Sequence, residues 1–309
     1  MFKDKKVAYL FVSPAMILIF FLSFLPLVFS LVIAFTNLEK QVIGDFVRQG
    51  FSAIKFVGLD NFVWIIKHDG IVLYKTLEWN IVWTIINVFF HVTFGISLAI
   101  LLNNKWMSSI EKTLWRFILI LPWAIPSFVT ILVWRAMFYE QGFINAVLTH
   151  LGLSPIPWMT SPFWARVAVL IINIWLGVPF MMIIALGALQ SIPNEFYEAA
   201  AVDGATPWQQ IKHITIPLVL RIMMPSILLG TIWTFNKFDV IWLFNKGGPV
   251  VSTASGDTYG ATNLLITYMY NYFYNLHSWN VAAALGYIVF VVLLILSLIN
   301  IRLQRWAEE

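Results

Sequence analysis

The sequence predicts an all-α polytopic membrane protein with six transmembrane helices, and three observations carry that expectation. Only 11% of its 309 residues are charged while 60% are hydrophobic, against about 25% charged in soluble domains. Six apolar runs each reach the roughly 20 residues that a membrane helix requires. A single polar island, 191–215, separates the fourth run from the fifth.

The first span, about 7–35, follows Lys3, Lys5 and Lys6 and begins like a signal peptide. Its apolar run is too long for a signal core and has no convincing cleavage site, so an uncleaved span is expected. The loop 36–78 contains Val57-Gly58-Leu59-Asp60-Asn61-Phe62, a turn followed by an amphipathic segment. The second span, about 79–102, is the least hydrophobic because it holds Asn80, Asn87 and His91. His91 either packs between helices or serves a function.

In the third span, about 115–138, Pro122 and Pro126 should bend the helix. The fourth, about 165–190, has Gly177 and Pro179 at a further kink. Polar groups reach deep into the fifth, about 216–243, in the run Trp233-Thr234-Phe235-Asn236-Lys237-Phe238-Asp239, and the sixth covers about 281–303. Of the connections, 139–164 is short and rich in Gly and Pro. The connection 245–280 carries Gly247-Gly248-Pro249 and then Tyr268, Tyr270, Tyr272, Phe273 and Tyr274. Those aromatics suit a membrane interface or contact with a sugar.

Charge placement orients the chain. With the N-terminus inside, the cytoplasmic side receives Lys3, Lys5, Lys6, Lys105, Lys112, Arg116, Lys212, Arg221, Arg302 and Arg305. Arg135, Arg166, Lys237 and Lys246 fall near the outer span ends. Both termini and the island 191–215 are therefore expected in the cytoplasm. The net charge of +4 points to no nucleic-acid partner, and the lack of cysteine excludes disulfides and thiolate metal sites. No Gly-x-x-x-x-Gly-Lys-Ser/Thr loop, metal-ligand spacing or Gly-x-Ser-x-Gly turn occurs. No cofactor, metal or catalytic residue is expected on this chain.

The island reads as two short helices about a glycine hinge. Asn194 is a candidate cap for a helix beginning after Pro193, where Glu195 and Glu198 suit the positive helix end. Ala199, Ala200 and Ala201 leave a face that another surface can approach closely. Asp203-Gly204 is a stop. Thr206-Pro207-Trp208-Gln209 then starts a helix with a threonine cap, proline at the first position and glutamine three residues after the cap.

The order Glu-Ala-Ala, Asp-Gly, then Ile214-Thr215-Ile216-Pro217 resembles the EAA loop of bacterial ATP-binding-cassette importer permeases. From about Leu119 onward the chain is similar to the large permease subunit of maltose-type importers. The matching features are Leu121-Pro122-Trp123-Ala124-Ile125-Pro126-Ser127, Trp175-Leu176-Gly177, Lys246-Gly247-Gly248-Pro249 and Ala282-Ala283-Ala284. The resemblance implies a type I importer permease of the bacterial inner membrane, paired with a second permease subunit. It further implies two ATPase subunits, which use ATP and Mg, and an extracytoplasmic solute-binding protein.

In that family the loop seats in a groove of the ATPase, which carries coupling over to Glu198, Ala199, Ala200, Asp203, Gly204 and Pro217. Family sugar-lining positions correspond to Trp123, Ser127, Asn173, Leu176, Gly177, Phe180, Gly230, Trp233, Thr234 and Lys237. Most of the last four depart from the serine and asparagines of the maltose pattern, so the substrate that the resemblance implies is a malto-oligosaccharide-like or related oligosaccharide. The additional N-terminal spans and large extracytoplasmic insertion of some members are not expected. Lys237 either snorkels outward, pairs with Asp239, or faces the pathway and binds a hydroxyl or an acidic sugar. An importer of uronate oligosaccharides and an ion-coupled secondary transporter are the alternatives.

Overall fold

The computed structural model describes residues 5–104 and 106–308. Lys3 and Lys105, both used in the charge argument, lie outside the described residues. The chain begins with α1 (Lys5–Ile19) and α2 (Leu25–Ala34), joined by a π-turn at Phe20–Phe24. Next come α3 (Lys40–Gln49), α4 (Asp60–Leu102), α5 (Ser109–Ala124), α6 (Ser127–Met137) and α7 (Phe143–His150). These are followed by α8 (Pro162–Gln190), α9 (Glu195–Val202), α10 (Pro207–Gln210), α11 (Ile216–Phe235) and α12 (Asp239–Asn245). The strands β1 (Val250–Ser252) and β2 (Thr258–Gly260) form an antiparallel hairpin in which Val251 faces Tyr259. The helices α13 (Leu265–Tyr270) and α14 (Trp279–Glu308) complete the order.

Among the described residues, five helical stretches are long and apolar enough to cross a membrane: Tyr9–Ala34, Asp60–Leu102, Pro162–Gln190, Pro207–Asn245 and Trp279–Leu298. The pair α5 and α6, bent by 88°, makes a sixth when counted as one span. Three details differ from the sequence reading. The amphipathic segment after Asp60 is the first part of α4 itself, a 43-residue helix, because no proline and only the isolated glycines Gly70 and Gly95 interrupt it. Pro126 does more than kink the third span. Its ring disfavours helical backbone at Ile125, which is extended (φ −78°, ψ 137°), and the helix breaks there. The fifth span likewise breaks, at residues 236–238 between α11 and α12.

Two compact units emerge. The first comprises Met1–Leu73 with Tyr268–Val292. Within it, Asn61 Nδ2 donates to the carbonyls of Ala34 (2.8 Å) and Thr36 (2.9 Å), and Asn280 Nδ2 donates to Asn61 Oδ1 at 3.0 Å. Asp69 accepts from the Tyr268 hydroxyl at 2.5 Å and also from that of Tyr272. Burial, with the Asp69 hydrogen bond added, pushes both phenols above the usual tyrosine range. These two tyrosines of the aromatic run are buried: a carboxylate inside protein needs donors, and they supply them.

The second unit comprises Tyr74–Thr267 with Leu293–Glu309. Helix α8 is its centre, packing against α5, α6, α11 and α12. One apolar core joins Trp83, Ile131, Phe138, Val169, Ile172, Val240 and Phe244. Another joins Ile96, Ala99, Met181, Ala185, Val219 and Met223. These clusters fix α8 against both broken spans and so set the geometry of the cavity between them.

Candidate functional site

A polar stripe runs down α4 through the buried residues Asn80, Trp83, Thr84, Asn87 and His91, spaced to share one helix face. It answers the break between α11 and α12. Asn80 Nδ2 donates to the Phe235 carbonyl (3.1 Å) and Trp83 Nε1 to the Thr234 carbonyl (2.9 Å). A helix end leaves such carbonyls without intrahelical partners, and in a membrane only protein can satisfy them. Asn80 Oδ1 also accepts from the Leu265 backbone N–H at 2.8 Å. One turn further, Asn173 Nδ2 donates to Asn87 Oδ1 (2.8 Å), and His91 Nε2 donates to the Asn173 carbonyl (3.0 Å).

Beside this stripe lies a cavity of about 130 Å³. Its lining includes Trp123, Asn173, Leu176, Gly177, Phe180, Gly230, Trp233, Thr234 and Lys237, every expected substrate position except Ser127. His91 and Met181 complete the wall. Phe180 stands between the two tryptophans, with ring centroids 6.3 Å from Trp123 and 5.8 Å from Trp233. Trp123 and Trp233 each expose more than half of their surface. Gly177 matters for close approach: a Cβ there would run into the His91 imidazole.

Ser127 sits elsewhere. Its hydroxyl donates to Asp239 Oδ2 at 2.9 Å, and Asp239 Oδ1 lies 3.1 Å from the Lys237 ammonium. Lys237 therefore both lines the cavity and pairs with Asp239. The break that starts α6 places Ser127 beside the first residue of α12. Arg135 Nη1 donates to the Leu243 carbonyl at 3.2 Å, so α6 and α12 run side by side in the same direction.

The island 191–215 keeps part of its expected form. Helix α9 ends at Asp203, and Gly204 takes φ +79°, the left-handed conformation that a glycine stop supplies. Asn194 does not cap α9 with its side chain, since its own backbone is already helical (φ −65°, ψ −24°). Thr206 does cap α10: its Oγ1 accepts from the Gln209 N–H (3.3 Å), and Gln209 Oε1 accepts from the Thr206 N–H (2.7 Å). The second helix is not short, however. It passes through a π-turn at Ile211–Thr215 straight into α11, because nothing between Gln209 and Pro217 stops a helix.

Glu198, Ala199, Asp203 and Gly204 are exposed and Ala200 is half-buried, together with the exposed apolar side chains of Phe196, Val202 and Trp208. Ala200, Asp203 and Gly204 share a surface hollow with Gln209 and His213. Pro217 lies outside that hollow, in the first turn of α11. Tyr197 makes a link that sequence reasoning missed: its hydroxyl lies 3.0 Å from Thr215 Oγ1, tying α9 to the turn that feeds α11. Met181 was missed too. The stripe had a usable signal, since Asn80, Asn87 and His91 share helical spacing.

Residues 91–308 match the family described as binding-protein-dependent transport system inner membrane component. The chain belongs to this family. It is 36% identical over 305 residues to the galactooligosaccharides transport system permease protein GanP of Bacillus subtilis (strain 168), covering 97% of this chain and 71% of that one. It is 33% identical over 303 residues to the maltodextrin transport system permease protein MalC of Streptococcus pneumoniae serotype 4, covering 94% and 67%. In fold it is similar to a chain in the crystal structure of a bacterial ABC transporter involved in the import of the acidic polysaccharide alginate. That superposition has a TM-score of 0.80 at 23% identity, covering 97% of this chain and 95% of the other. The protein is thus an all-α, multi-pass transport component of the inner membrane.

Proposed function

We propose that this chain is a permease subunit of an ATP-driven importer that moves an oligosaccharide, of the galactooligosaccharide or maltodextrin type, handed over by an extracytoplasmic binding protein. The observation that carries this reading is the cavity wall: aromatic faces from Trp123, Phe180 and Trp233 beside amide, hydroxyl and ammonium groups from Asn173, Thr234 and Lys237. Flat apolar rings suit the carbon faces of a sugar, and the polar groups suit its hydroxyls. At about 130 Å³ the cavity is smaller than the roughly 300–1,000 Å³ of ligand pockets. A second permease subunit facing the exposed sides of Trp123 and Trp233 would complete it.

The energy enters at α9. Its small residues and exposed Phe196 and Val202, with Trp208 of α10 beside them in sequence, suit a groove on an ATPase subunit, and Tyr197–Thr215 passes its movement to α11. Two such ATPases would use ATP and Mg, and this chain would bind no cofactor. Both termini and α9 face the cytoplasm in this reading. Among the cations assigned outside, Arg135 and Arg166 donate to the Leu243 and Ala261 carbonyls and Lys237 pairs with Asp239. Ion coupling is disfavoured because Asp239, the carboxylate within the fifth span, already serves Lys237 and Ser127.

The test is co-purification followed by reconstitution in proteoliposomes. A second permease and ATPase subunits should accompany the chain, and ATP hydrolysis should rise with sugar-loaded binding protein. Uptake that persists without nucleotide, or a chain that binds no ATPase, overturns the reading.

A further inference from the structure

We propose that Asp239 sets the charge preference of the cavity: by pairing with Lys237 it makes the site one for uncharged saccharides. This rests on the carbohydrate reading above and names the substrate class. Lys237 is the one lysine or arginine among the described residues lining the cavity. An isolated ammonium beside three aromatic rings would recruit a carboxylate, since charge-assisted hydrogen bonds are the stronger kind. Its charge is balanced from outside the cavity wall instead, by Asp239 Oδ1 at 3.1 Å.

The balancing carboxylate is itself held in place. Its second oxygen accepts from Ser127 Oγ at 2.9 Å, and the two breaks that begin α6 and α12 bring those residues together. An ammonium has three donors, so pairing leaves N–H groups free for sugar hydroxyls while the net charge at the cavity stays near zero. Arg135 and Arg166 donate to backbone carbonyls and do not line the cavity. A uronate entering the site would have to compete with Asp239 for Lys237.

The test uses the purified complex without its binding protein, so that the selectivity of that protein does not enter. Binding of maltotriose, of galactotriose and of trigalacturonate is followed by the fluorescence of Trp123 and Trp233, with Trp233→Phe identifying the cavity signal. The unaltered complex should prefer the neutral trisaccharides. Asp239→Asn keeps an acceptor for Ser127 and should shift relative affinity toward trigalacturonate by roughly tenfold, the size of one hydrogen bond to a charged group. Salt should shrink that shift, and Lys237→Asn in the same chain should abolish it.

Lys237→Gln alone leaves Asp239 unbalanced and should move the ratio the other way, which keeps the idea testable if Asp239→Asn does not insert. Neutral binding with an unchanged ratio in both variants overturns this proposal and spares the carbohydrate reading. An unaltered complex that prefers the uronate overturns it as well. Failure of every saccharide to bind overturns both.

Discussion

Gly177 and Gly187 lie ten residues apart on α8 and answer very differently to the same substitution. A Cβ at Gly177 meets the His91 ring, whereas one at Gly187 has nothing within 4 Å. His91 cannot yield without giving up its hydrogen bond to the Asn173 carbonyl. Gly177→Ala should therefore destabilise the protein by about 1–3 kcal/mol and reduce uptake. Gly187→Ala should be neutral or stabilising by up to about 1 kcal/mol. Thermal unfolding of the two purified variants separates these outcomes, and equal midpoints would refute the packing argument. Asn80 makes a second case: Asn80→Leu strips partners from the Phe235 carbonyl and the Leu265 N–H, at about 2–4 kcal/mol for two buried groups. Calorimetry of that variant should show a clearly lowered midpoint.

At the scale of elements, the structure turns on where helices stop. Gly204 stops α9 with φ +79°, a value closed to proline, whose ring holds φ near −65°. Gly204→Pro should leave the protein inserted and assembled but abolish sugar-dependent ATP hydrolysis. Gly204→Asn, which tolerates the left-handed region, should keep most of it. Full activity in the proline variant would remove the hinge from the mechanism. The break at Ile125–Pro126 was legible as a kink from its prolines but not as a full break, and residues 236–238 were legible only as polar groups within a span. At the second break the Thr234 and Phe235 carbonyls find partners on α4, and that dependence on a distant helix is invisible to local propensity.

For the whole molecule, the question is which side of the membrane α9 occupies. The lack of native cysteine makes single-cysteine labelling clean, and Val202 is 88% exposed. Val202→Cys should react with a membrane-impermeant maleimide only in permeabilised cells, and assembly with the ATPase subunits should slow that reaction. Labelling in intact cells would reverse the proposed orientation.

Hydrophobic run lengths and the scarcity of charge determined on their own that the chain is a helical, multi-pass membrane protein. Local chemistry likewise determined the glycine stop at Gly204 and the Thr206 cap, because both act over three or four neighbouring residues. Only the tertiary structure decided that Trp123 and Phe180, on the third and fourth spans, share a wall with Trp233. It also decided that Ser127 serves Asp239 instead of lining the cavity. Those outcomes depend on which helix faces meet across breaks, and residues more than 80 positions apart leave no periodic trace of their meeting.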